Sequence, residues 1–167
     1  MVLEDAEPVA AAVTQQLRDD GFTVEVATIG GVSAHVARRA VFRWSWLATR
    51  LHVFVVAFDR TVADVTDAEH LAESAVDYAL ANKTGLPRGF QTGVVSVTVF
   101  AAERIAPDLR AWARKGPRPR FAAFSLNVIL DLETGESVVP LQRGFRGIVY
   151  ANFMQRLVDR VVVAAWS

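Results

Sequence analysis

Cysteine is absent from the 167-residue sequence, and neither sign of charge is in excess. Without cysteine the chain has no disulfide framework, no thiol nucleophile and no cysteine-based zinc site. The 18 basic and 18 acidic residues cancel, which removes the simplest argument for a nucleic-acid or membrane partner. Long apolar runs are also lacking. The two best, residues 53–58 and 161–166, have six residues each, whereas a membrane-spanning helix needs about 20.

Composition and chain length favour one folded domain without a targeting segment. Apolar residues make up 52% of the chain, and at this length they can form a buried core without disulfides. The first seven residues include three acids, whereas a secretory signal begins with basic residues. We therefore expect residues 1–167 to form a single domain, and we expect the protein to be cytoplasmic.

Four segments have the apolar spacing of an amphipathic helix. They are residues 8–20, a segment from Thr66 to about Asn82, a short segment opened by Pro107, and residues from about 148 to 164. In the second segment, Thr66 and Glu69 have the spacing of a capping box, in which each side chain bonds the other's backbone N–H. Leu109 and Trp112 of the third segment are predicted to face the core.

Strand patterns account for most of the remaining chain. The predicted strands are residues 22–29, 94–102 and 121–131, a short returning strand at 137–141, and a central strand at 51–58. After the first strand, Gly30 and Gly31 favour a two-residue hairpin turn, because both positions can adopt positive φ. Residues 32–47 would then continue as a second strand. The alternative is a helix over these residues, capped by Ser33, and both interpretations fit the sequence.

These elements predict an α/β (α+β) fold, with a mixed sheet of about five to six strands covered by about four helices. The early order of helix, three strands, helix and strand resembles the topology of restriction-endonuclease-like nucleases. That resemblance implies an acid on the second strand and an acid-x-lysine motif on the third, which together serve a metal ion. Here residues 51–58 contain no such motif, and Asp59 and Arg60 come only at the strand end. If the fold is shared, the residues therefore argue against nuclease activity.

The loop of residues 85–93 is the first candidate for a small-molecule site. It contains three glycines and one arginine, and its exposed backbone N–H groups could form an anion nest. The ligand-binding residues would be Arg88, Gly89 and Gly93. A helix precedes this loop and a strand follows it, whereas anions favour helix N-termini. A plain connection is therefore the alternative interpretation.

Recognisable catalytic, metal and cofactor motifs are missing from the sequence. The glycines lack phosphate-loop spacing, the serines lack a nucleophile elbow, and the three histidines lack zinc-site spacing. We therefore predict no cofactor and no bound metal. His52 opens the central strand and is expected to be hydrogen-bonded at the margin of the core. An enzyme would need a dispersed site, for which Asp59, His70 and Arg88 are the candidates.

Two charged segments stand out although the net charge is zero. Glu69, Glu73 and Asp77 recur at intervals of four and form an acidic stripe on the second helix. The segment 110–120 contains five bases: Arg110, Arg114, Lys115, Arg118 and Arg120. Residues 1–103 carry 8 bases and 13 acids, whereas residues 104–167 carry 10 bases and 5 acids. A solvated helix face is the usual interpretation of such a stripe. Because complementary charges steer association, the alternative prediction is that the stripe and the basic segment meet a partner, or each other across a symmetric interface between two copies.

Three hypotheses for function follow from these observations. The first is a binding or regulatory module without a catalytic centre. Its apolar excess, which includes Phe42, Trp44, Trp46 and residues 161–163, favours a homo-oligomer or a protein partner. The second is a binder of nucleic acid or another acidic ligand through the basic segment, on a catalytically inactive nuclease-like topology. Nucleic-acid binding would then be weak and non-specific, because charge alone would carry it. The third is an enzyme with the dispersed site.

Overall fold

The computed structural model describes residues 6–43, 49–83, 92–115, 118–120, 123–141 and 150–167. Its helices are α1 (Ala6–Asp19), α2 (Val65–Asn82), α3 (Pro107–Arg114) and α4 (Ala151–Ala165). Its strands are β1 (Thr23–Ile29), β2 (Val32–Arg43), β3 (Thr49–Thr61), β4 (Thr92–Ala102), β5 (Arg118–Arg120), β6 (Ala123–Asp131) and β7 (Ser137–Val138). The four predicted helices and the predicted strands are confirmed, although the returning strand ends at Val138 instead of residue 141, and β5 is an additional strand.

All described strands join one mixed sheet. Six of them lie in the order β1-β2-β3-β4-β6-β5, and β7 pairs with β6 near its end. The pairs β1–β2, β2–β3 and β5–β6 are antiparallel, whereas β3–β4 and β4–β6 are parallel. Parallel neighbours need crossover connections, which contain α2 and α3 respectively. The predicted α/β (α+β) class, with a mixed sheet and four helices, is thus confirmed.

A two-residue turn joins β1 to β2. Gly30 and Gly31 have φ of 59° and 80°, and Ile29 pairs directly with Val32 across the turn. Positive φ at both central positions matches the twist of the flanking strands, which is why two glycines occur here. The hairpin prediction is confirmed. The alternative helix over residues 32–47 is wrong, because β2 occupies these residues as far as the structure describes them.

Helices cover both faces of the sheet and bury a separate apolar cluster on each. The face covered by α1 and α4 includes the buried side chains of Val55 and Val97. The face covered by α2 and α3 includes those of Phe54 and Phe100. Strand residues alternate between the two clusters because successive side chains point to opposite faces. Residues 51–58 are all buried, as predicted for the centre of the sheet.

Asp64, rather than Thr66, caps the N-terminus of α2. Its carboxylate accepts a hydrogen bond from Asp67 N at 2.8 Å, and the Asp67 carboxylate accepts one from Ala63 N at 3.1 Å. The predicted capping box of Thr66 and Glu69 is therefore wrong. An aspartate satisfies a free N–H group and also places negative charge at the positive end of the helix dipole, so it competes well with threonine.

The short strand β5 forms one edge of the sheet, in the part of the chain that sequence patterns left without an element. Its central residue, Pro119, pairs with Phe124 of β6. Proline cannot donate a ladder hydrogen bond, so within sheets it occurs on edge strands of this kind. Three residues interrupted by proline show no alternation that could predict a strand. The pairing sets Arg118 opposite Ser125, which brings one base of the basic segment to the sheet.

The apolar segments noted in the sequence are distributed between core and surface. Val161 of α4 is fully buried, whereas Val163 and Phe42 are 68% and 39% exposed. Trp44 and Trp46 lie outside the described residues. No helix in the described part of the chain is long and apolar enough to cross a membrane.

Candidate functional site

Helix α2 brings the acidic stripe and the basic segment into contact within one chain. Oε1 of Glu69 accepts a hydrogen bond from the indole Nε1 of Trp112 at 3.0 Å and lies 3.6 Å from Nη1 of Arg118. The Arg118 guanidinium also lies over the Trp112 ring, 4.9 Å from its centroid. A carboxylate and an aromatic face therefore hold Arg118 at a defined position beside α2.

A cleft of about 240 Å³ opens between α2 and the β5–β6 pair. Helix α2 forms one wall, and the two strands form the other wall and the floor. The lining residues include Glu69, Ala72, Glu73, Arg118, Ser125 and Asn127. Sites for drug-sized molecules have volumes of roughly 300–1,000 Å³, so this cleft suits a smaller metabolite.

The floor of the cleft belongs to a polar patch inside the sheet. Ser96 and Thr98 on β4 pair in register with Ser125 and Asn127 on β6, so four polar side chains lie side by side on the face covered by α2. The residues that flank this patch along the same face are apolar: Val94, Phe100, Ala123 and Ile129. All four polar residues are buried, and Ser96 and Thr98 are 0% exposed.

Three of these side chains carry buried polar atoms that have no hydrogen-bond partner among the described residues. The atoms are Ser96 Oγ, Thr98 Oγ1 and Asn127 Oδ1. Each unpaired polar group lowers the stability of a fold by about 1–3 kcal/mol. Valine would fill the place of Thr98 without that loss. Local violations of good packing chemistry in an otherwise consistent fold are typical of functional sites.

Glu73 supplies the free charge at the rim of the cleft. It is exposed on α2, lines the cleft, and has no hydrogen-bond or ion-pair partner in the part of the chain that the structure describes. Glu69 is already engaged by Trp112 and Arg118. The charges of Glu69 and Arg118 cancel, so among the described residues that line the cleft Glu73 is left as one uncompensated negative charge, which attracts a cation.

The other bases of the basic segment have different surroundings where the structure describes them. Arg110 makes a two-point ion pair with the carboxylate of Glu136, which directly precedes β7. The side chain of Arg120 lies outside the described part of the structure. Arg114 and Lys115 are exposed at the end of α3. Because acids already engage two of these bases, less charge is left for phosphate contacts than the sequence predicts.

The two described candidates for a dispersed catalytic site, Asp59 and His70, are not brought together. Asp59 accepts a hydrogen bond from Ser33 Oγ at 2.6 Å and lies 3.2 Å from Nε2 of His35, on the sheet face opposite to α2. His70 is exposed on α2, and Arg88 lies outside the described residues. Ser33 and His35 both contact the carboxylate, whereas a serine nucleophile needs contact with the histidine itself. The structure therefore separates Asp59 from His70. The partners of Asp59 are Ser33 and His35 instead.

Of the three ligand-binding residues predicted in the loop of residues 85–93, the structure describes only Gly93. Arg88 and Gly89 lie outside the described residues, and the structure gives Gly93 a packing role. A Cβ atom at Gly93 would lie 3.1 Å from Leu51 Cδ1 and 3.1 Å from the hydroxyl oxygen of Tyr150. Within the described ranges, no group of three or more histidines or acids could hold a metal ion.

His52 was predicted to be hydrogen-bonded at the margin of the core, but one of its ring nitrogens lacks a partner among the described residues. It is 4% exposed, and its Nε2 has no hydrogen-bond partner among the described residues. Burial, together with the charges of Arg50 and Lys83, lowers the pKa of His52, so its imidazole is neutral near pH 7.

Sequence patterns missed the polar patch of the sheet, although a signal for it exists. Ser96 and Thr98, and likewise Ser125 and Asn127, are two residues apart within apolar strands. Polar residues at every second position mark one polar face on a strand. Only the register of β4 against β6 shows that the two pairs adjoin.

Comparison with protein-family models, with curated proteins and with solved structures gives no match to this chain. Proposals for its function therefore rest on the fold and on the geometry of the cleft.

Proposed function

We propose that the protein is a non-catalytic binding module that holds a small, positively charged polar molecule in the cleft between α2 and the β5–β6 pair. The observation that carries this proposal is the polar patch under the cleft. It contains three buried polar atoms without partners among the described residues. A free carboxylate at the rim supports a cationic ligand in particular.

The groups that line the cleft define the chemistry of the ligand. Glu73 offers acceptor atoms to an ammonium group. Ser125 and Asn127 offer a hydroxyl and an amide, which can bind a second polar group of the ligand. Arg118 is paired with Glu69 and acts as a fixed wall rather than as a free anion site. The ligand class that fits these groups is a short aliphatic amine with a second polar or ammonium group.

The experiment is a titration of the full chain with putrescine. Binding is monitored through the amide shifts in two-dimensional NMR spectra. We expect saturable shifts at the cleft, with Ala72 and Asn127 among the affected amides. Butane-1,4-diol has the same chain length and no charge, and we expect no saturable binding of it. If the diol binds as tightly as the diamine, the carboxylate has no role and the proposed ligand class is wrong.

Two matched variants locate the binding site. Glu73→Gln removes the rim charge and should weaken putrescine binding about tenfold or more, since charge-assisted hydrogen bonds contribute roughly 1.5–3 kcal/mol. Asp77→Asn removes the same charge one helical turn further along α2, and binding should stay within about twofold because this exposed surface charge is screened by salt. An equal loss in both variants would mean a diffuse attraction to the acidic stripe and would refute the site.

A further inference from the structure

A second pocket lies near the C-terminal end of α2, away from the cleft. Its volume is about 330 Å³, and its walls include Arg38 of β2, His52 and Phe54 of β3, and Asn82, the last residue of α2. The cleft residues Glu69 and Glu73 lie in the first half of the same helix. The two cavities share no lining residue.

His52 is the polar group that the fold leaves without a partner in this pocket. Its imidazole forms part of the wall, and its Nε2 has no hydrogen-bond partner in the described part of the chain. A neutral imidazole keeps one N–H donor and one acceptor nitrogen. A ligand that accepts a hydrogen bond would therefore pair a group that is otherwise buried unpaired.

Three cations surround this imidazole. Arg38 lines the pocket, and Arg50 precedes His52 by two residues on the same face of β3. Lys83 follows Asn82 as the C-cap residue of α2. Both Arg50 and Lys83 act on the imidazole electrostatically. The side chains of all three cations lack ion pairs with any acid that the structure describes.

One acid of the neighbouring strand is already engaged. Glu25 of the neighbouring strand β1 accepts a hydrogen bond from the Tyr78 hydroxyl at 2.7 Å, so its carboxylate is engaged. Burial and this hydrogen bond raise the pKa of Tyr78 to about 12, which keeps the hydroxyl neutral. The C-terminus of α2 adds a partial charge of about −0.5. The described residues that line the pocket include two arginines, Arg38 and Arg39, and no acid, so the wall itself is positively charged.

We propose that this pocket binds a small oxyanion, a phosphate or carboxylate group carried by a metabolite. The guanidinium of Arg38 offers paired N–H donors whose planar geometry matches such groups. The imidazole of His52 offers a further donor, and Arg50 and Lys83 supply attraction at longer range. This site does not depend on the proposed amine site in the cleft.

The test uses inorganic phosphate and malonate as probes, each titrated at constant ionic strength so that screening is the same throughout. The readout is the ¹⁵N shift of the His52 ring together with the amide shifts of β2. We expect saturable binding of at least one probe. A phosphate-only or malonate-only response identifies the source of the oxyanion, whereas no saturable response to either probe overturns the proposal.

Variants separate specific binding from general attraction. Arg38→Gln should weaken binding about tenfold or more, and Lys83→Gln, a second variant at the helix end, about threefold. Arg104→Gln removes one positive charge just beyond the opposite end of β4, and binding should stay within about twofold. An equal loss in Arg104→Gln would overturn the site. Glu73→Gln should leave anion binding unchanged, so this proposal and the amine site can fail separately.

Discussion

The hairpin between β1 and β2 rests against α2, and a single methyl group tests that contact. At Gly30, where φ is 59°, an added Cβ would lie 2.9 Å from Ser74 Oγ and 3.2 Å from Leu71 Cδ2. At Gly31, where φ is 80°, an added Cβ would meet nothing within 4 Å. Gly31→Ala therefore reports backbone strain alone, whereas Gly30→Ala reports strain together with a steric clash.

The magnitudes of the two effects differ enough to be measured. A left-handed conformation is less favourable for an alanine than for a glycine by about 1–2 kcal/mol, which is the loss expected for Gly31→Ala. Overpacking adds typically 1–3 kcal/mol, so Gly30→Ala should lose about 2–5 kcal/mol of unfolding free energy. Urea titration followed by circular dichroism measures both values, provided that the slope with denaturant is unchanged.

A second substitution on α2 tests the cause of the loss. Ser74→Ala removes the Oγ atom that the new methyl group would contact, and that hydroxyl otherwise donates only to His70 O within the helix. The double variant Gly30→Ala/Ser74→Ala should therefore recover at least about 0.5 kcal/mol relative to additivity. If Gly30→Ala loses no more stability than Gly31→Ala, the hairpin does not pack on α2 as described.

Two further predictions concern buried polar groups. Thr98→Val replaces a buried hydroxyl that has no hydrogen-bond partner among the described residues with a methyl group of the same shape, so we expect a gain of about 1 kcal/mol in unfolding free energy. The buried Asp131 carboxylate accepts hydrogen bonds from the N–H groups of Ile105, Glu133 and Thr134, at 2.8–3.0 Å. Burial acts to raise the pKa of Asp131, but these hydrogen bonds lower it overall. Its stabilisation is therefore complete above the unfolded pKa of about 3.9 and is lost as the pH falls through the lower folded pKa. Asp131→Asn should lose about 2–4 kcal/mol at pH 7, and its difference from wild type should shrink in acid.

Each of these two predictions has its own control. Thr66→Val makes the same exchange on the exposed surface of α2, where no buried hydroxyl is relieved and stability should not rise. A loss of stability in Thr98→Val would show that the hydroxyl is satisfied after all. For Asp131→Asn, a stability difference that stays constant from pH 7 into acid would contradict the titration argument.

Local sequence patterns predicted those elements that local chemistry determines. Gly30 and Gly31 specified the hairpin because positive φ is a property of the residue itself, and residues 51–58 specified a central strand because they are apolar on both faces. The cap of α2 was predicted wrongly at Thr66, because Asp64 also suits that position by residue type. Strand β5 had no local signal at all.

Of the residues that form the cleft, only the charged ones at its rim could be predicted from the sequence. The acidic stripe and Arg118 were visible as charge, and their contact through Trp112 follows from the way α3 and β5 pack beside α2. The polar patch depends on the pairing of Ser96 with Ser125 and of Thr98 with Asn127. Such pairing joins distant parts of the chain, and no local pattern contains it.

The arrangement of helices also determines the order in which the core can be completed. Leu17 of α1 and Val161 of α4 belong to the same apolar cluster, and Arg160 Nη1 lies 2.9 Å from Asp20 Oδ2 beside it. Contacts between the first and last helices close a loop of almost the whole described chain, and such distant contacts slow folding. During refolding, one face of the sheet therefore stays only partly covered, by α1, until α4 docks. In that interval the exposed strands are most prone to aggregation, so protein concentration should limit the yield of refolding.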